Sequence, residues 1–235
     1  MKLKSERRYP INSLVNGYVC KKCNNIFINK IDGNAKDIVS KLLNGNFEKG
    51  DFTEENCKAL SKWAYKTVLT LCNPNTINFK KLIPDSAYED FFVTKEVPDD
   101  VIISLGKLEK EAKNTEVLWS ISQNFLFEFS PHSSYAKDIV KESTFILNQK
   151  KSNLSVTMSF LKKCNKDSFH VILNINGFLL RVVYIPRTDL FSLRYDNGEI
   201  IVHPKLTSKM EDLIEYENMM KFMLNLHLVY KGIER

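Results

Sequence analysis

Phe169-His-Val-Ile-Leu-Asn-Ile175-Asn176-Gly177-Phe178-Leu-Leu-Arg-Val-Val-Tyr184-Ile185 contains two apolar, β-rich runs, 169–174 and 178–185, on either side of Asn176-Gly177. An Asn-Gly pair accepts positive φ at both central positions of a two-residue turn, the backbone that joins neighbouring antiparallel strands. The stretch therefore predicts a hairpin and, with it, a largely antiparallel sheet. Further β-rich runs lie around it at 101–105, 117–129, 143–147, 154–161 and 200–202, with Asp196-Asn197-Gly198 as a second turn. Working toward the N-terminus, the period changes. Ala35, Ile38, Val39, Leu42 and Leu43 recur at helical spacing and Gly45 follows as a stop. Thr53 followed by Glu54 and Glu55 predicts a helix start, because a hydroxyl cap and early acids suit the N-terminal dipole. Its stripe is Cys57, Leu60, Ala64, Val68 and Leu71, with Trp63 and Thr67 alongside, and Pro74 stops it.

Beyond the hairpin, Ser208 and Glu211 form a capping-box pattern. Leu213, Ile214, Met220, Met223, Leu224 and His227 fit one face of a helix running from about 209 to 228. The predicted fold class is α+β: an N-terminal knuckle and helices, a largely antiparallel β region, and a closing C-terminal helix. The predicted division is 1–75, holding a basic arm, a CxxC knuckle and two helices, and 76–235, the β-rich remainder. A length of 235 residues suits either one large domain or two small ones.

Composition narrows the classes. Hydrophobic residues make up 43% and charged residues 26%, values of a chain that buries a core. No run of about 18 apolar residues is present, which argues against a membrane span. The N-terminus MKLKSERRYPINS is basic with no apolar segment behind it, unlike a secretory signal. Five cysteines at 20, 23, 57, 72 and 164 do not form a secreted disulfide framework, so a reducing cytoplasm is expected. Cys57 and Cys72 sit on a helical stripe, where small thiols pack as apolar groups.

Charge is unevenly placed. Residues 1–30 carry Lys2, Lys4, Arg7, Arg8, Lys21, Lys22 and Lys30 against Glu6 alone, a net +6 that equals the charge of the whole chain. The other 205 residues therefore sum to zero. A basic end on a neutral body suits a polyanion, nucleic acid foremost, although basic tails also serve merely to solvate a chain. The nucleic-acid-binding candidates are Lys2, Lys4, Arg7, Arg8, Lys21 and Lys22.

Within this segment lies Tyr18-Val19-Cys20-Lys21-Lys22-Cys23-Asn24-Asn25. Two thiolates three residues apart can fill two corners of a zinc tetrahedron, so Cys20 and Cys23 are the metal candidates. Zinc takes four ligands, and no second CxxC or HxxxH is present. The site is incomplete within one chain. A zinc shared between two copies, a relic turn without metal, and a redox pair are the alternatives; the last lacks the βαβ setting of a thioredoxin-like motif.

The block Val19-Cys20-Lys-Lys-Cys23-Asn24-Asn25-x-Phe27 resembles the second zinc-knuckle half, "vCxxCNNGWMS", of a group of HNH-like bacterial proteins. Leu42-Leu43-x-Gly45 continues the likeness, and Leu60-Ser-Lys-Trp63-Ala64-Tyr-Lys66-Thr67 is similar to the group's "lxxWaxKta" helix. Ile83-Pro84-x-x-x-Tyr88 and Pro98 extend it, so it covers roughly 18–98. Members of that group usually open with a first CxxC and a Glu-His-x-x-Pro segment, whose His is the general base of an HNH nuclease. Residues 1–19 hold neither Cys nor His, and Ile26-Phe27-Ile28 replaces the usual Gly-Trp-Met. The resemblance implies lost catalysis, a natural start farther upstream, or a partner chain that supplies the missing half.

The expected function is a non-catalytic, HNH-derived interaction protein that binds nucleic acid or a complex acting on it, in a phage defence or counter-defence setting suggested by the resemblance. The alternatives are a metal-dependent HNH-like nuclease and a purely protein-binding inhibitor. Zinc is the candidate cofactor, a homodimer the candidate assembly, and no membrane partner is expected. Asp85, Glu89 and Asp90, and also Asp99-Asp100, read as turn and cap residues before they read as a Mg²⁺ site. His132 lies in Ser130-Pro-His-Ser-Ser134 without a third orienting group, and His170 and His203 read as structural. No P-loop, Rossmann fingerprint or HExxH is present.

Overall fold

The computed structural model describes residues 23–72, 83–109, 119–122, 126–129, 147–150, 153–157, 169–184, 191–195, 198–204, 206 and 213–230. A π-helical turn, Cys23–Ile28, runs directly into α1, Asn29–Asn44. Gly45 ends α1 at φ 70°, and its amide and the next return to the last carbonyls of the helix. A short 3-10 turn, Lys49–Asp51, leads to α2, Glu54–Leu71. The Thr53 hydroxyl accepts the amide of Asn56 at 3.1 Å, the predicted cap.

α3, Asp85–Thr94, occupies a stretch the sequence leaves without an assignment. Pro84 precedes it and Asp85 starts it, so the acids at 85, 89 and 90 are helix residues. Only Ala87 and Phe91 of its ten residues are fully buried, too sparse a stripe to announce a helix by period.

The strands are β1 Val101–Leu108, β2 Trp119–Ser122, β3 Leu126–Phe129, β4 Leu147–Lys150, β5 Asn153–Thr157, β6 Phe169–Ile175, β7 Phe178–Tyr184, β8 Phe191–Tyr195, β9 Ile200–His203, β10 Glu215–Tyr216 and β11 Leu226–Tyr230. The first sheet runs β10-β1-β7-β6-β2, with β9 also on β1. The second runs β4-β5-β3-β11-β8. Among the described strands only the β1–β10 and β3–β11 pairs are parallel, so the expectation of a largely antiparallel α+β fold holds. The Asn176-Gly177 hairpin forms as read, with φ of 50° and 84° and Ile175 facing Phe178. Its tip docks on α1, where Asn176 donates its side-chain amide to the Leu43 carbonyl at 2.8 Å.

The hairpin is buried on both faces, which is why its sequence is apolar at both parities. Phe169, Val171, Leu173, Phe178, Leu180 and Val182 face a core shared with α1, α2 and α3. Ile172, Leu179 and Leu108 face the other way, against Phe222. The helices of the first 75 residues thus pack on strands of the remainder around one core.

The C-terminal helix is shorter than its predicted span. α4 runs Met219–Leu224, capped by the Asn218 side chain accepting from Lys221 N at 2.9 Å. Strands β10 and β11 bracket it, and 207–212, with the Ser208/Glu211 pattern, lie outside the described residues. The physical reason is local. Leu226-His-Leu-Val-Tyr230 ends in a β-branched and an aromatic residue, and pairing with β8 and β3 satisfies its backbone. His227 therefore belongs to a strand, not to the helical face on which its spacing placed it.

Candidate functional site

The residues singled out by charge, Lys2, Lys4, Arg7, Arg8, Lys21 and Lys22, lie outside the described residues, as does Cys20. Cys23 opens the π-helical turn. Among the described residues no three His, Cys, Asp or Glu side chains gather as a metal site. Cys57 and Cys72 are buried and free, as the helical stripe predicts. Burial pushes their thiols up to about 11 and about 12, so at neutral pH they carry protons rather than a metal-ready thiolate. Cys20 and Cys23 would supply two thiolates to a zinc ion, and these two buried thiols are poor candidates for the rest.

Where the basic segment joins the folded body there is a cleft of about 660 Å³. Its walls carry Phe27, the cations Lys30, Lys58, Lys62 and Lys95, and the acids Asp37, Glu55 and Glu96. Phe27 comes from the π-helical turn and packs on α3, its ring 5.3 Å from Phe91. The ammonium of Lys95, the left-handed residue that ends α3, sits 4.3 Å over the Phe27 ring. Lys62 and Lys58 approach Glu96 at 2.6 and 3.8 Å. One carboxylate thus holds two α2 lysines at the rim.

α2 divides this cleft from a second one of about 590 Å³, which shares Lys58, Lys62 and Glu96 and adds Cys57, Ser61 and His203. His203 Nε2 lies 3.0 Å from the Pro98 carbonyl. A carbonyl only accepts, so Nε2 carries the proton and the neutral ring offers Nδ1 as an acceptor. Burial lowers the His203 pKa, partly offset by that hydrogen bond and by Asp99 and Glu96. The structural role read for His203 from sequence is met by its bond to Pro98.

The most organised polar cluster lies elsewhere, on the face of the first sheet opposite the helices. Arg181 on β7 is wholly buried and grips Glu199 with two bonds, Nε to Oε2 at 2.9 Å and Nη2 to Oε1 at 2.8 Å. Ser104 on β1 donates to Glu199 Oε2 at 2.5 Å, and Asn225 donates to Oε1 at 2.8 Å. Arg181 Nη1 lies 2.8 Å from His170 Nε2. The guanidinium has no lone pair, so His170 accepts there and is neutral with its proton on Nδ1. Its pKa is well below the ordinary histidine range, first because it is buried and then because Arg181 faces it. The remaining guanidinium donors reach the carbonyls of Phe222 and Met223, and the Phe222 ring lies 4.3 Å from the guanidinium carbon.

Sequence reading identified His170 as structural but passed over Arg181 and Glu199. A signal was present: a single cation inside the apolar run Phe-Leu-Leu-Arg-Val-Val-Tyr, where a strand has no polar face to hold it. His170 pairs with Val183 and Arg181 with Ile172, so the two are diagonal neighbours across the hairpin. Buried among the described residues, the cluster joins β1, β6 and β7 to Glu199 and to the end of α4 and is suited to fixing these segments together. No helix among the described residues is long and apolar enough to cross a membrane. Comparison with known protein families, curated proteins and solved structures finds nothing that matches this chain.

Proposed function

We propose that the chain is a non-catalytic nucleic-acid-binding protein that grips phosphates with its basic first 30 residues and presents the adjoining lysine-rimmed cleft to the same ligand. The observation that carries this reading is the charge distribution: the entire net +6 falls within residues 1–30. Such a segment attracts a polyanion over several ångströms and binds it largely through release of counterions. The cleft adjoins the segment, and its four lysines are set against Asp37, Glu55 and Glu96, so the phosphate contacts fall chiefly to the segment itself. The HNH-like resemblance of 18–98 points the same way, toward an ancestor that handled nucleic acid, and to cytoplasmic phage–host conflict as the setting. A zinc ion held by Cys20 and Cys23 and shared between two copies would make the binding unit a dimer.

The test is equilibrium binding of labelled DNA and RNA across a salt series. Affinity is expected to fall steeply, with a slope of about −0.9 per neutralised phosphate on duplex DNA and about −0.7 on a single strand. Replacing Lys2, Lys4, Arg7, Arg8, Lys21 and Lys22 by Gln is expected to flatten that slope and weaken binding uniformly across sequences. Absence of binding at low salt, or an unchanged slope in the variant, overturns the reading in favour of a protein-binding role. Cleavage with Mg²⁺, Mn²⁺ or Zn²⁺ that is lost in Cys20→Ser replaces it with a nuclease.

A further inference from the structure

The polar cluster around Arg181 concerns the C-terminal segment more than the hairpin that carries it. α4 is six residues long and β10 only two, so the segment 213–226 has little regular structure to hold it in place. Its β10 end is held on β1 by backbone pairing and the Lys107–Glu215 ion pair, and by the hydrogen bonds Glu109 N to Tyr216 O and Ile214 N to Gly198 O, whereas the described hydrogen bonds that tie 222–225 to the rest of the chain converge on one spot. Arg181 donates to the Phe222 and Met223 carbonyls at the end of α4, the first of which also accepts the Asn225 amide at 3.2 Å. Asn225, the next residue after α4, donates to Glu199. The Phe222 ring covers Gly106 of β1 so closely that a Cβ there would lie 2.2 Å from it. One residue after Asn225 the chain becomes β11, which lies between β3 and β8 and connects them in the second sheet. Among the described residues that sheet holds no other pairing between β8 and the β3-β5-β4 ladder.

We infer that the Arg181–Glu199–Asn225 cluster is a latch: by fixing the end of α4 on the first sheet it sets the start of β11 and so licenses assembly of the second sheet. When the latch opens, 219–230 leaves as a unit and the second sheet splits into β8 and β4-β5-β3, while the β6–β7 hairpin and its helix-covered face stay closed. Apolar side chains of similar volume would hold the segment at least as tightly. A buried ion pair instead makes attachment depend on one geometry, because any displacement strands a charge.

Native-state hydrogen exchange on the full chain tests the latch. Asn225→Ala removes one donor to Glu199 and leaves the Arg181–Glu199 pair in place, so the protein is expected to fold. Amides of 126–129, 153–157, 191–195 and 226–230 should then exchange at least tenfold faster together, with 169–184 unchanged. In Arg181→Met the same amides should lose protection further, and Arg181→Met/Glu199→Leu should recover much of it, because no buried charge is left alone. Equal acceleration in 169–184 in Asn225→Ala would show that the cluster merely contributes to global stability. Unchanged exchange in the second sheet would show that it is independent of the latch. Either result overturns the inference, and neither bears on nucleic-acid binding.

Discussion

Gly106 and Phe222 show how little room the latch leaves. β1 is an interior strand, paired with β7 on one side and with β9 and β10 on the other, and its residue 106 points at the face that Phe222 covers, with no space for even one methyl group. Gly106→Ala must push aside a fully buried aromatic ring rather than a flexible side-chain tip. Overpacking of this kind costs about 1–3 kcal/mol. Urea unfolding should show that loss as a lower midpoint with an unchanged slope, and an unchanged midpoint would mean the ring has another place to go. Gly50 offers the contrast, since a Cβ there meets nothing within 4 Å and Gly50→Ala should leave stability nearly unaltered. Nothing in the sequence around Gly106 separates it from a glycine of a weak strand. Its role arises from a residue more than a hundred positions away, a relation that only the folded sheet creates.

The elements differ in how plainly the sequence declares them. α2 is legible because its apolar stripe, its cap and its stop agree: Thr53 caps it, Leu60, Ala64 and Val68 are buried, and it ends before Pro74. Thr53→Ala should therefore cost about 1 kcal/mol through one orphaned amide, measured as a fall in the thermal midpoint that Thr53→Ser largely restores. An effect near zero would indicate that the neighbouring anchor takes over, in which Asn56 donates to the Asp51 carbonyl at 3.0 Å. The β6–β7 hairpin is equally legible, since its turn chemistry is local. α3 and the C-terminal segment are not. α3 buries too few residues for its period to show, and 213–230 offers helical spacing and strand composition at once. Tertiary pairing decides between them: β11 finds partners on both edges, and the helix keeps only Met219–Leu224. The candidate site divides in the same way. Charge asymmetry is visible residue by residue, whereas the cleft beside it is made by Phe27, α2 and the end of α3 meeting in space.

At the scale of the whole molecule the buried histidines set the response to acid. His170 accepts from Arg181 and is neutral, and both it and His203 have pKa values lowered chiefly by burial. The unfolded chain binds a proton at each near pH 6.5, while the native protein does not. A group with a depressed native pKa contributes stability above its unfolded value and loses it as pH falls toward its native one. Stability should therefore decline from pH 7.5 to 5.5, with a limiting slope of about 1.4 kcal/mol per pH unit for each histidine. The carboxylates enter lower. Burial raises Asp100, while Asp51, despite its burial, is held below its ordinary value by Lys41 and the Glu48 amide, and both start from an unfolded value near 3.8. His170→Gln keeps an acceptor for Arg181 without a titrating ring, so its urea midpoints across the same range should show a distinctly shallower slope than the parent protein. A parent whose stability is flat or rises as the solution is acidified through pH 6.5 would mean that the ring accepts its proton in place, and that the hydrogen bond from Arg181 does not hold it neutral.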